Sequence, residues 1–359
     1  MKSHDLRFYA LTLLGLIVFP FAIHPIGGYP GLATQILIVA IAAVGFNLVL
    51  GYAGLLSYGQ AAFYGIGSYV ALLTVSKFFP SNPNFWLAIL LAVAFVTAMA
   101  YVIGAFIVRL YGIYFGLVTL AIAQMLYFVV FQWRSLTQGA DGLQGISAPS
   151  VPFGFASLDL GSSLPQVDLG PFGNLGDVHY WYPFVALVML LVLAFMRTLT
   201  RSQFGEVLGA IRENEERSMF VGFDPARYKL AAFTIAGMLT GLSGALRGLY
   251  EGSTSPDSLT VDTSGSFVIF AVVGGLKTLF GPLLGTGLIM YLENVISAKT
   301  DAWRLIEGLI FVGVIVFLPG GILGSLRRKR KGGGPRDVLA GAVRTGPATD
   351  ASVPRGVTR

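Results

Sequence analysis

Asn47–Tyr69 reads NLVLGYAGLLSYGQAAFYGIGSY. The stretch is apolar enough to sit in a bilayer, yet Gly51, Gly54, Gly59, Gly65 and Gly67 interrupt it, and Ser57, Gln60 and Ser68 add polar groups. A plain membrane anchor has no use for these residues, because each glycine weakens a helix by about 0.5–1 kcal/mol relative to alanine. Non-helical backbone at membrane depth survives only where protein buries it or water lines it. Glycine-interrupted apolar segments also point to the binding sites of transporters. Two readings stay open on spacing alone: a bend around a translocation path, or close helix packing through small residues, as in G-x-x-x-G contacts.

The rest of the chain agrees with a membrane setting. Of its 359 residues, 55% are hydrophobic and 12% are charged, with a mean hydropathy of +0.73; soluble domains carry about 25% charged residues. The 46 glycines and 17 prolines suit helices that are closely packed and sometimes broken. There is no cysteine, which excludes disulfides, thiolate catalysis and iron–sulfur or cysteine–zinc sites. The three histidines, His4, His24 and His179, are too scattered to suggest a metal cluster, so no metal site is expected. The formal charge of +6 sits in loops and tail, where it reports orientation and gives no reason to expect nucleic acid.

Apolar runs fall near residues 8–24, 32–50, 86–107, 112–131, 181–198, 229–250, 280–298 and 303–323. The first has Lys2 and Arg7 before it but no small-residue cleavage site after it, so it reads as a retained helix. Adding the opening stretch, continued to residue 76, and a shorter run at 266–277 gives roughly ten crossings of a hydrocarbon layer about 30 Å thick. An eight-span version with two re-entrant pieces also keeps both termini on one side. With ten crossings, Lys2, Arg7, Arg109, Arg197, Arg201, Arg212, Arg217, Arg227, Lys229 and the Arg327–Lys331 cluster face the cytoplasm, and Lys77, Lys299 and Arg304 fall outside as exceptions. The expected class is therefore an all-α polytopic membrane protein with broken or re-entrant helices. Its transmembrane domain covers 1–326, with an external loop at 132–180, a cytoplasmic loop at 199–228 and a basic, disordered cytoplasmic tail at 327–359.

The external loop is rich in Gly, Pro, Ser and Asp, which favours turns. The cytoplasmic loop differs. Gln203–Phe220 suits an amphipathic helix, with Phe204, Leu208, Ile211, Met219 and Phe220 apolar and Glu206, Glu213, Glu215 and Glu216 charged. Gly222 can end it and Asp224-Pro225 can begin the next element. A connector needs only a few residues, so this loop reads as a grip for a cytoplasmic partner; the alternative is a helix lying on membrane lipid. A second interrupted segment, Phe267–Ser297, carries Gly274, Gly275, Gly281, Pro282 and Gly285 between two apolar halves. Interrupted segments in separate halves suit an internal inverted repeat. Arg247, Glu293 and Glu307 are the ionisable candidates inside spans, each near a span end. A chain of buried carboxylates for ion coupling is missing, which favours energy supplied by another protein.

Five segments, in order, carry a resemblance: NLVLGYAGLLSYGQAAFYGIGSYVALL from Asn47, GADGLQGI from Gly139, FGEVLGAIRENEERSMFVGFDPARYKLAAF from Phe204, VVGGLKTLFGPLLGTGL from Val272 and FLPGGILG from Phe317. Together they resemble the LivM-type permease of branched-chain amino-acid ABC importers, over about residues 32–325. The resemblance implies a non-catalytic subunit of the bacterial inner membrane that binds no cofactor itself. It implies as partners a LivH-type permease, two cytoplasmic ATPases that use ATP and Mg, and an external substrate-binding protein. Glu213, Asn214, Glu216, Gly222 and Asp224 stand at the family's ATPase-coupling segment. Asn47, Gly51, Gly54, Ser57, Gln60, Gly274, Gly275, Gly281 and Pro282 are the candidates for the translocation path. Two positions depart from the family: Gln60 stands where relatives often carry His, and Lys277 where they often carry Gly. Urea and short-chain amide importers use similar permeases and remain an alternative, as does an ion-coupled secondary transporter.

Overall fold

The computed structural model describes residues 12–21, 29–80, 83–110, 112–153, 156–165, 176, 178–297, 299–300, 302–318 and 320–330. After α1 (Thr12–Phe21), α2 (Pro30–Asn47) begins with proline at its first turn and runs on through a π-helical stretch, Leu48–Tyr52. Residues 53–59 are not helical, and α3 (Gln60–Leu73) then resumes and ends in a second π stretch, Thr74–Phe78. α4 (Phe85–Ile107) is capped by Asn84, whose side chain accepts from the amides of Trp86 and Leu87. α5 (Ile113–Gln132) and the short α6 (Arg134–Thr137) lead into the loop before α7 (Trp181–Arg201). α8 (Gln203–Glu213) and α9 (Glu215–Phe220) precede α10 (Pro225–Glu251), which starts on an Asp224 cap and ends at left-handed Gly252. α11 (Val261–Gly274), α12 (Gly281–Ser297), α13 (Trp303–Phe317) and α14 (Gly321–Arg330) complete the order.

Seven helices among the described residues are long and apolar enough to cross a membrane, and Thr12–Phe21 and Val261–Gly274 are shorter apolar helices. The chain is a multi-pass, almost wholly helical membrane protein. α2 is apolar on every side and accordingly sits at the centre, with Ala33, Ile36, Leu37, Ala40 and Ile41 fully covered. α10 lies beside it, and α3 runs alongside α10 in the same direction: Gln60 meets Thr240, Tyr64 meets Gly244 and Ser68 meets Gly248. The contact is backbone against backbone. A Cβ on Gly244 would lie 1.8 Å from the Tyr64 carbonyl oxygen, so only glycine fits there. Around this core, α4, α5, α7 and α13 leave Phe95, Phe106, Leu117, Phe128, Leu191 and Val316 exposed, the outward apolar surface that a bilayer covers.

The two ends of the bundle differ. At one end α8 lies against the residues that follow α2, which Asn47 joins to the turn between α11 and α12, and α9 packs beside α8 and α10. At the other end are the 138–165 loop and the turn after α10. That loop is not a free connector: Leu143 and Thr254 exchange both backbone hydrogen bonds, at 2.9 and 2.8 Å, and the Ile146 amide donates to the Gly252 carbonyl at 3.0 Å. It also holds a two-strand hairpin, β1 (Val151–Phe153) with β2 (Ala156–Leu158), a small departure from an all-helical chain. The helix expected over 203–220 is in fact two. Asn214 adopts an extended backbone and its side chain accepts from the Arg217 amide at 2.8 Å, so it ends α8 and caps α9. α14 carries helix through Arg330, past the expected start of the tail at 327; the rest of that tail lies outside the described residues.

Candidate functional site

The break after α2 and the turn between α11 and α12 meet, and Asn47 joins them. Its Nδ2 donates to the Thr278 carbonyl at 3.0 Å, and its Oδ1 accepts from the Lys277 amide at 3.2 Å. Tyr52 adds a bond from its hydroxyl to the Lys277 carbonyl at 3.2 Å. One amide side chain thus satisfies backbone that leaves the helical ladder, as buried polar groups require. Lys277 holds a left-handed backbone with φ 60, which explains why glycine suits this position. Burial first, and the Arg212 guanidinium second, push the Lys277 ammonium below its ordinary range, with Glu213 opposing.

Arg212, near the C-terminus of α8, reaches into the same junction and donates from Nη1 to the Gly51 carbonyl. Gly54, at φ 74, lies directly under its aliphatic stem; a Cβ there would come within 2.8 Å of Arg212 Cγ. The cytoplasmic-loop candidate and the path candidate are therefore one connected structure. The remaining loop candidates divide by role. Asn214 and Asp224 are helix caps, and the Asp224 carboxylate also meets Arg227 at 3.0 Å. Gly222 makes the turn at φ 96, while Glu213 and Glu216 are exposed. Lys229, almost fully buried, ties α10 back to α9 through Glu215 at 2.5 Å. Phe220 is 91% exposed at the tip, and Val221 and Met219 flank it.

Past the break, hydroxyls stand in for missing helical bonds. Ser264 Oγ donates to the Tyr58 carbonyl at 2.7 Å and accepts from the Ala61 amide at 3.0 Å, and Thr119 Oγ1 accepts from the Tyr58 amide at 3.0 Å. Ser57 and Gln60 are wholly buried here. Thr240 Oγ1 lies 3.0 Å from Gln60 Oε1 and 2.8 Å from the Ala236 carbonyl, and its single hydrogen serves one of them at a time. Gln60 Nε2 is buried and has no hydrogen-bond partner among the described residues. Gly274, Gly281 and Gly285 form a tight crossing of α11 and α12, where a Cβ on Gly274 would meet the Gly281 carbonyl oxygen at 1.8 Å; Pro282 is buried beside it. Gly275 instead faces Gly320 and Gly324, so the FLPGGILG segment seals this turn.

Toward the other end, a cavity of about 610 Å³ opens between α2, α3, α10, α11 and α12. Arg247 lines it, paired with Glu251 at 2.9 Å and placed 5.6 Å over the Tyr64 ring. Glu293 and Arg304 lie on its far side, and Tyr58 of the break lines it too. Arg247 and Glu293 are two scattered candidates in the sequence, here brought to one space. Asp262 and Gln35 also line it and escaped sequence reasoning: the 14-residue α11 is too short to show a clear pattern around Asp262, and Gln35 is one of few polar residues in the apolar α2. The Glu307 side chain lies outside the described residues.

A family model described as the permease component of branched-chain amino acid transport systems matches residues 29–318. The high-affinity branched-chain amino acid permease protein LivM of Salmonella typhimurium is 28% identical over 334 residues, 90% of this chain and 76% of that relative. A probable LivH permease protein of Methanocaldococcus jannaschii is 24% identical over 82% of this chain and 91% of that relative. The xylose permease protein XylH of Escherichia coli K12 is 28% identical over 48% of this chain and 44% of its own length. No solved structure matches the chain. With a match running from the start of α2 to the end of α13 and across both breaks, the chain belongs to the branched-chain amino acid transport permease family.

Proposed function

We propose that this chain is the non-catalytic permease subunit of an ABC importer for branched-chain or related hydrophobic amino acids. It works beside a LivH-type permease in the bacterial inner membrane, with two ATPases on the α8–α9 side and a substrate-binding protein on the side of the 138–165 loop. Both termini then face the cytoplasm. The bond from Arg212 to the Gly51 carbonyl carries this reading, because it ties an exposed, apolar-tipped loop to the broken end of the central helix. Motion imposed on α8 reaches α2 directly and, through Asn47, the α11–α12 turn. ATP drives the cycle only by favouring one of two arrangements of these elements over the other.

The test is uptake of labelled leucine by cells with and without the gene, competed by isoleucine, valine and urea, with and without ATP depletion. Loss of ATP-dependent leucine uptake in the deletion, restored by the intact gene, is the expected result. Lost urea uptake with leucine uptake unchanged replaces the substrate and keeps the architecture. Uptake that follows an ion gradient after ATP is removed overturns the coupling role.

A further inference from the structure

We propose that the cavity bounded by Arg247 and Glu293 is a binding compartment for the zwitterion in transit, open toward the 138–165 end. The inference rests on the amino-acid reading above. Its volume, about 610 Å³, lies within the range of roughly 300–1,000 Å³ typical of small-molecule sites. Its lining is divided as such a ligand requires. Arg247 with Glu251, and Arg304 with Glu293, set a guanidinium and a carboxylate on each of two walls, and Ile38, Val39, Phe270 and Met290 form an apolar surface between. Ionisable side chains at this depth face a wet cavity or a partner by necessity. With Asp262 the lining holds two cations and three anions, so a molecule that carries one positive and one negative group finds a partner for each within the same space. A carboxylate suits the planar fork of Arg247, an ammonium suits Glu293, and an aliphatic side chain fits the apolar surface.

Two features give the compartment an entrance and an exit. A neighbouring cavity of about 530 Å³ shares Arg247, Glu251 and Thr263 and reaches Gln144 and the Ser253–Ser255 turn, the end where the loop is laced down. In the opposite direction the wall includes Tyr58, the residue whose carbonyl and amide are held by Ser264 and Thr119 in the break. Opening the break therefore opens the floor of the compartment.

The experiment uses the complete transporter in proteoliposomes, with labelled leucine and its binding protein. Gly265 lines the cavity, and an added Cβ there meets nothing within 4 Å. Because the chain has no cysteine of its own, Gly265→Cys places one unique thiol in the compartment. A membrane-impermeant thiol reagent added from the binding-protein side is expected to label it and to lower uptake against the same unlabelled preparation. Arg247→Gln and Glu293→Gln are each expected to cut uptake about tenfold or more, as loss of a charge-assisted hydrogen bond implies, while the subunits still co-purify. A wild-type complex that takes up no leucine overturns the amino-acid reading itself. A wild-type complex that does take it up, with Gly265→Cys unlabelled or with complete labelling and unchanged uptake, overturns the compartment alone.

Discussion

At the scale of single residues, Asn47 does more than any other side chain in the junction. It gives one bond to the Thr278 carbonyl and takes one from the Lys277 amide, so no residue lacking both a donor and an acceptor replaces it. Asn47→Ala orphans two backbone groups and should cost about 1–3 kcal/mol, read as a lower melting temperature of the purified subunit. Lys277→Gly should act oppositely. It keeps both backbone bonds, relieves a left-handed conformation that costs a non-glycine residue roughly 1–2 kcal/mol, and gives back part of that gain as chain entropy. The net expectation is a neutral to slightly raised melting temperature, and a clear fall would show that the Lys277 side chain itself is needed.

Elements are coupled here by few, identifiable contacts. α8 touches the broken end of α2 through Arg212, and α9 is bound to α10 through Glu215 and Lys229. Arg212→Gln should leave ATP hydrolysis by the assembled transporter running while leucine uptake falls about tenfold, the loss expected for one charge-assisted hydrogen bond. Equal loss of both activities would mean that Arg212 serves assembly alone. The sequence exposed these elements unevenly. Long apolar runs set α4, α5, α7 and α10 within a few residues, because a bilayer demands length and hydrophobicity in one block. The split at Asn214 did not show, since an asparagine cap between two acidic, helix-favouring stretches leaves the local pattern unbroken. Nor could spacing tell bending glycines from packing glycines in Asn47–Tyr69. The structure uses both: Gly54 turns under Arg212, and Gly67 admits the Gly241 backbone. Which candidates share a space, as Arg247 and Glu293 do, depends on contacts between distant helices and has no local signature.

On the scale of the whole molecule, the exposed tip at Phe220 is the apolar projection of the end where ATPases are proposed to dock. Phe220→Asp should lower co-purification of the ATPases and leave this chain's own melting temperature within about 1 kcal/mol in stability terms, since an exposed side chain supports no core. A large fall in melting temperature would place Phe220 in the fold instead.

The pairing of α3 with α10 also has a consequence for how the protein is made. Gln60 meets Thr240 across 180 residues of chain. At a synthesis rate of about 5–20 residues per second, Gln60 and the bare glycine faces of α3 wait on the order of 10–40 seconds for α10. During that interval they sit in lipid, against the translocation machinery or against another subunit. A nascent chain stalled after α9 should thus be a target for membrane-bound quality control, and pulse-chase of a chain ending at residue 222 should show it degraded well before the full-length product. If the truncated chain proves equally long-lived, the early helices have found cover that α10 later displaces.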